Sequence, residues 1–227
     1  MPDSSNSTHG SGSHRLIAEE VMLLLLDDEE GTEGFWVQSY ASYALAGAVL
    51  AELSIGEIIE LSEPSGMLRS RKVKVTQTRP VSQTVLGSAV ETIGEKGRSP
   101  DALVDILSRG LRERLIEGLV ADGILEAKDD KFLLVFDRTR WPMSDATHER
   151  AVRDRLDAAL LDGAEPDRRT AVLVALLNQL GQTHKVVQRE GVSSKSIKER
   201  AEEIADKGWA TKASQDAIDV IMVTTTM

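Results

Sequence analysis

Ser39-Tyr40-Ala41-Ser42-Tyr43-Ala44-Leu45-Ala46-Gly47-Ala48-Val49-Leu50-Ala51-Glu52-Leu53-Ser54-Ile55 decides how the rest of the chain must be arranged. Alanine and leucine are strong helix formers, and the run closes at Gly56, a residue that favours helix ends. Ala41, Ala44, Ala46, Gly47, Ala48 and Ala51 leave little side-chain bulk, so other elements can approach this backbone closely. The stretch therefore predicts a central, buried helix over about 39–55. Small-residue helices also pack inside membranes, but Glu52, Glu57 and the length point to packing in a water-soluble core.

Upstream, Leu16 to Leu26 reads as a short helix or helix–strand element. It leads into Asp27-Asp28-Glu29-Glu30-Gly31, an acidic turn without the alternating oxygen ligands of a calcium loop. Phe35 and Trp36 follow as an aromatic pair in a loop, just ahead of the central helix. Residues 1–14 are rich in Ser, Gly, Asn and His, and read as a flexible tail rather than a signal peptide. His9 and His14 fall in that tail as solvated residues, not metal ligands.

Downstream, no acidic residue occurs between Pro64 and Val90, while Arg69, Arg71, Lys72, Lys74 and Arg79 are all basic. Lys72-Val73-Lys74-Val75-Thr76 alternates with period two, as a half-exposed strand does. Its charges either protect an edge strand or offer an accessory basic surface, made of Arg69, Arg71, Lys72 and Lys74. Ser99-Pro100-Asp101 then carries a cap hydroxyl, a proline for the first turn and a carboxylate near the positive dipole end. From there a single amphipathic helix is expected, with Leu107, Leu111, Leu115, Ile116 and Leu119 on one face. Arg109 and Arg112 leave neighbouring points of its surface, and Arg112 falls inside the apolar arc. A guanidinium there needs an anionic partner, either an internal carboxylate such as Asp105, Glu113 or Glu117, or an external phosphate.

Residues 123–137 show two apolar runs around a polar turn, the pattern of a β-hairpin. Further helices are expected over Ala146 to Leu161, Arg168 to Leu180, Ser194 to Lys207 and Ser214 to Thr224. The fold class is mainly α: a single mostly helical domain over residues 15–227 with minor antiparallel β-hairpins.

The chain has 227 residues, no cysteine and a net charge of −10. Disulfides and thiolate chemistry are excluded, and broad attraction to nucleic acid or anionic membrane is disfavoured. The longest apolar run, Val21 to Leu26, is far short of a membrane span. His148 and His184 stand alone, and no phosphate loop, metal motif or nucleophile–base pattern accompanies them. No catalytic residue, metal or cofactor is expected. Residues 111–136 also fit the helix and wing of a winged-helix DNA regulator, but the hairpin turn with Glu126, Asp129 and Asp130 is acidic where a wing meeting phosphates should be basic.

Several blocks, in order, resemble the Golgi phosphoprotein 3 family from about Leu16 onward. They are Glu19-Glu20-Val21-Met22-Leu23-Leu24-Leu25, then Phe35-Trp36, then Ala44 to Leu53. Leu111-Arg112-Glu113-Arg114-Leu115, Phe132-Leu133-Leu134 with Phe136-Asp137, and Asp167-Arg168-Arg169 complete the series. The resemblance implies a non-catalytic peripheral membrane protein, at the cytosolic face, that binds phosphatidylinositol 4-phosphate or a related anionic headgroup. It places the headgroup pocket on Trp36, Arg109 and Arg112, while the position of a third family arginine is taken by Ala46. From the residues alone, Trp36 reads first as a core aromatic. The resemblance further implies self-association or membrane contact through the 123–137 hairpin, with Phe132, Leu134 and Phe136 on its strand. A soluble adaptor of the same fold that has lost lipid binding is the alternative.

Overall fold

Leu16-Ile17-Ala18 and the leucines that follow have no polar face to offer solvent, and the chain buries them at its centre. The computed structural model describes residues 15–26, 35–64, 70–77, 81, 83–126, 128–129, 139–140 and 147–206, with 35–41, 128–129 and 139–140 described in backbone only. The first helix, α1 (Ile17–Leu25), is buried at every position except Glu19. Its start is satisfied by acids rather than by a cap hydroxyl. The Leu16 N–H donates to Glu19 Oε2 at 2.9 Å and the Ile17 N–H to Glu52 Oε2 at 2.8 Å. Carboxylates at that end also favour the helix dipole.

The quoted small-residue stretch forms most of α2 (Phe35–Ile55), and Ala44 to Ala51 are buried throughout. The helix begins earlier than its composition suggests. Phe35 and Trp36, expected in a preceding loop, are its first two residues. A chain of alanines behind them lets α2 carry neighbours on every side, and it packs against α1, α3, α4, α5 and α7.

Strands β1 (Ile59–Leu61) and β2 (Val73–Val75) pair antiparallel, Ile59 opposite Val75 and Leu61 opposite Val73. The alternation expected over 72–76 is observed, with Val73 buried and Lys72 and Lys74 exposed. Arg98 adds a bridge to Val73 on its other side. Gly97 sits there at φ +64°, where a Cβ would lie 2.5 Å from the Val73 carbonyl oxygen. Helix α3 (Thr84–Ile93), which composition did not announce, lays Leu86, Ala89 and Ile93 into the core.

The arginine segment is not one helix but two. Ser99 caps α4 (Pro100–Leu107), its hydroxyl accepting the Ala102 N–H at 3.4 Å, as the sequence predicts. The helix stops at Ser108, and α5 (Leu111–Ala121) starts afresh behind Gly110 at φ +63°. The cause is glycine's freedom to turn left-handed, which the continuous apolar stripe hides. The stripe itself is preserved: Leu107, Leu111, Leu115, Ile116 and Leu119 are all buried.

In the expected 123–137 hairpin, pairing is displaced. Strand β3 (Lys128–Asp129) pairs with β4 (Thr139–Arg140), so residues assigned to the polar turn are strand and the partner lies beyond 137. Phe132, Leu134 and Phe136 fall outside the described residues, as do Arg69, the 1–14 tail and the helix expected at 214–224. Helices α6 (Thr147–Leu160), α7 (Arg168–Gln179), α8 (Thr183–Val186) and α9 (Ser194–Asp206) complete the described residues. All but the single turn of α8 were legible in the sequence. Asp167 caps α7, accepting the Thr170 N–H at 2.7 Å. One apolar cluster runs through the described residues from Leu16 to Ile204. No described helix is long and apolar enough to cross a membrane.

Candidate functional site

The turn between α4 and α5 displays two of the expected site residues side by side in the chain. Arg109 lies in the turn itself and Arg112 in the first turn of α5. Arg109 is 73% exposed and donates from Nη2 to Asp105 Oδ2 at 2.6 Å. An exposed pair of this kind contributes less than about 1 kcal/mol, so an incoming phosphate can displace it. Arg112 is 24% exposed, on a helix that also buries Ile116 and Leu119, with Glu113 at 4.0 Å. Asp105 and Glu113 are themselves exposed.

Cations and a helix start meet at this corner. Two guanidinium groups flank it, and the N-terminus of α5 adds the positive end of its dipole. Arg114 contributes differently. Its Nη1 donates to the Arg109 carbonyl oxygen at 3.1 Å, tying the turn shut from inside α5. Sequence reading missed that role, because a hydrogen bond to a main-chain carbonyl leaves no pattern in residue types.

Trp36 occupies the first turn of α2, and α2 packs directly against both α4 and α5. The side chain of Trp36 is outside the described set. Ala46 is fully buried in the core. On the accessory surface, Lys72 and Lys74 are exposed, Lys74 standing opposite Glu60 across the β1–β2 ladder. Arg71 is half-buried and donates from Nε to the Ser62 carbonyl oxygen at 3.1 Å. His148 and His184 are exposed, and no metal-holding group of acids and histidines occurs among the described residues.

A second set of charges is structural. Glu20, only 8% exposed at its side chain, takes Arg155 Nη2 at 2.8 Å and has Arg169 at 3.8 Å. Arg169 also bonds Glu52 and the Arg15 carbonyl oxygen, and Arg15 bonds Asp122. Burial pushes the Glu20 and Glu19 carboxyls above the ordinary glutamate range, against the opposing pull of the neighbouring arginines. At Asp167 burial works the same way but loses. Hydrogen bonds from the Thr170 N–H and hydroxyl, with Arg155 and Arg169 nearby, hold it below the ordinary range. Arginines anchored in this way are not available to a ligand, which sets them apart from Arg109.

The blocks that carry the resemblance thus hold the fold's main joints: Glu19 and Glu20 on α1, Ala44 to Leu53 on α2, and Asp167 and Arg169 on α7. Comparison with known proteins agrees. The family model described as Golgi phosphoprotein 3 (GPP34) matches residues 17–221. Vacuolar protein sorting-associated protein 74 of Schizosaccharomyces pombe is 29% identical over 162 residues, covering 63% of this chain. The match covers 48% of that protein, so the chain spans about half the length of the curated relative it matches. With the family model covering nearly all of α1 through α9 and beyond, the chain belongs to the Golgi phosphoprotein 3 family.

Proposed function

We propose that this protein docks reversibly on the cytosolic face of a membrane by holding an anionic lipid headgroup of the phosphatidylinositol 4-phosphate kind, and catalyses nothing. Arg109 and Arg112 pair the phosphate, and Trp36 forms one wall of the pocket. The observation that carries this reading is the placement of both arginines at the start of α5, with exposed Asp105 as the partner Arg109 must release. Guanidinium forks suit phosphate oxygens in bidentate geometry, and a helix N-terminus adds N–H donors without requiring a side chain.

Buried Ala46 and the net charge of −10 favour a second reading, a soluble adaptor that keeps the fold without the lipid. Vesicle flotation separates the two. Wild type should float with vesicles containing phosphatidylinositol 4-phosphate and not with phosphatidylcholine alone, and Arg109→Ala/Arg112→Ala should lose at least tenfold of that capture. Each charge-assisted bond contributes about 1.5–3 kcal/mol, which sets the tenfold threshold. Equal recovery of all samples would put the adaptor in front.

A further inference from the structure

Helix α9 starts in an electrostatically odd way. No acid stands in its first turn, and Lys195 and Lys198 sit at the positive end of the dipole instead. Their glutamate partners Glu199 and Glu202 lie 3.7 and 3.8 Å away, exposed, and in the less favourable lysine-first order. Ser193 Oγ caps the helix, accepting the Ser196 N–H at 3.1 Å. Among the described hydrogen bonds, the N–H groups of Ser194 and Lys195 find no acceptor.

These groups border a cleft of about 520 Å³ between the end of α7, α8 and the start of α9, lined by Asn178, Thr183, His184, Lys195 and Lys198 among others. A neighbouring hollow of about 460 Å³ shares His184 and Ser194 and adds Arg189, with Glu190 as the acid on its wall. Thr183 is 3% exposed, and its Oγ1 is buried with no hydrogen-bond partner. A buried hydroxyl left unpaired costs free energy, and Thr183 is one of the residues that line the cleft, with Lys195 and Lys198.

We infer that this cleft is an anion site, separate from the Arg109–Arg112 corner, that takes the phosphate of a phosphate monoester. Its oxygens accept from the Thr183 hydroxyl, the unpaired N–H groups of Ser194 and Lys195, and the two ammonium groups. None of the residues proposed to hold the lipid headgroup lines it. A concave pocket with several polar groups on its lining is what a small-ligand site requires, and a helix start favours an anion.

Titration of the full chain with inorganic phosphate, followed by ¹H–¹⁵N spectra, tests this. Saturable shifts are expected at the amides of Thr183 and Ser194 to Lys198. Lys195→Gln/Lys198→Gln should weaken binding at least tenfold, while Arg109→Ala/Arg112→Ala should leave it unchanged. Thr183→Val should weaken phosphate several-fold and yet raise the melting temperature of the free protein, since it removes the unpaired hydroxyl. Vesicles carrying phosphatidylinositol 4-phosphate identify the source of the phosphate. Capture lost in Lys195→Gln/Lys198→Gln assigns the site to lipid. Capture kept, with inorganic phosphate still shifting the same amides, assigns it to soluble phosphate. Shifts that are absent, do not saturate, or survive the double lysine substitution overturn the proposal.

Discussion

Single residues here divide into those locked by the fold and those left facing outward, and the difference is measurable. Arg169 bonds Glu52 and touches Glu20, whose sequence positions are more than a hundred residues away. Replacing Arg169 by alanine leaves two largely buried carboxylates without their shared cation. Removal of one partner from such a group costs about 3 kcal/mol, and chemical denaturation should show a loss of that order. Glu20→Gln behaves differently. Because burial raises the Glu20 carboxyl in the folded state, its stabilising form is the protonated one. That contribution is present below the ordinary glutamate pKa and is lost as pH rises through the raised value. Glutamine is neutral throughout, so the variant should melt at or above wild type at pH 7, and the gap should close as pH falls toward 4.5. Thermal melts across that range check the sign, and a gap that widened on acidification would reverse the assignment. None of this pairing was legible in the sequence. Glu20 and Arg169 stood out only through their resemblance blocks and Glu52 only as a charge on a small-residue helix, because partners this distant are joined by the fold alone.

Helices follow local chemistry, and at this scale most of the structure was readable. The Ser99–Pro100 start, the glycine after α2, and the apolar periods of α6, α7 and α9 each depend on residues within a turn or two. The break between α4 and α5 did not show, because its apolar stripe continues across the gap and a lone glycine reads equally as a tolerated helix residue. The two possibilities predict opposite effects of one substitution. In a continuous helix Gly110→Ala would stabilise by close to 1 kcal/mol. At φ +63° the same change forces a β-carbon into the left-handed region and should destabilise by about 1 kcal/mol. Space is not the issue, since the nearest atom to that carbon is Arg114 Nη1 at an ordinary 3.5 Å. A misaimed turn should also loosen the bond from Arg114 to the Arg109 carbonyl. Asp167→Ala, which removes the α7 cap, should cost about 1 kcal/mol. The Asp167 carboxyl is held below its ordinary range, so its contribution is present above that range and disappears as pH falls through the lowered value.

The whole molecule sets the terms on which any membrane contact is made. A body of net charge −10 is repelled by an anionic bilayer, and only groups within about a Debye length of the lipid, 8–10 Å, can counter that. If the α5 corner does so through a specific phosphate, its attraction depends on the number of phosphoinositide headgroups and not on surface charge in general. At a fixed phosphatidylinositol 4-phosphate content, exchanging phosphatidylcholine for phosphatidylserine should therefore leave vesicle capture flat or lower it. Added salt should weaken the arginine–phosphate bonds while screening the repulsion, so the salt dependence should be shallow on serine-rich vesicles. The accessory surface predicts the reverse. Lys72 and Lys74 are exposed and could each add about 1 kcal/mol near a charged leaflet, in which case capture climbs with phosphatidylserine and falls steeply with salt. Lys74 stands opposite Glu60 and Arg71 is bonded to Ser62, so Lys72→Gln/Lys74→Gln should cost less than Arg109→Ala/Arg112→Ala. Capture that rose with phosphatidylserine and collapsed on loss of the two lysines would move the membrane contact from the α5 corner to the β1–β2 hairpin.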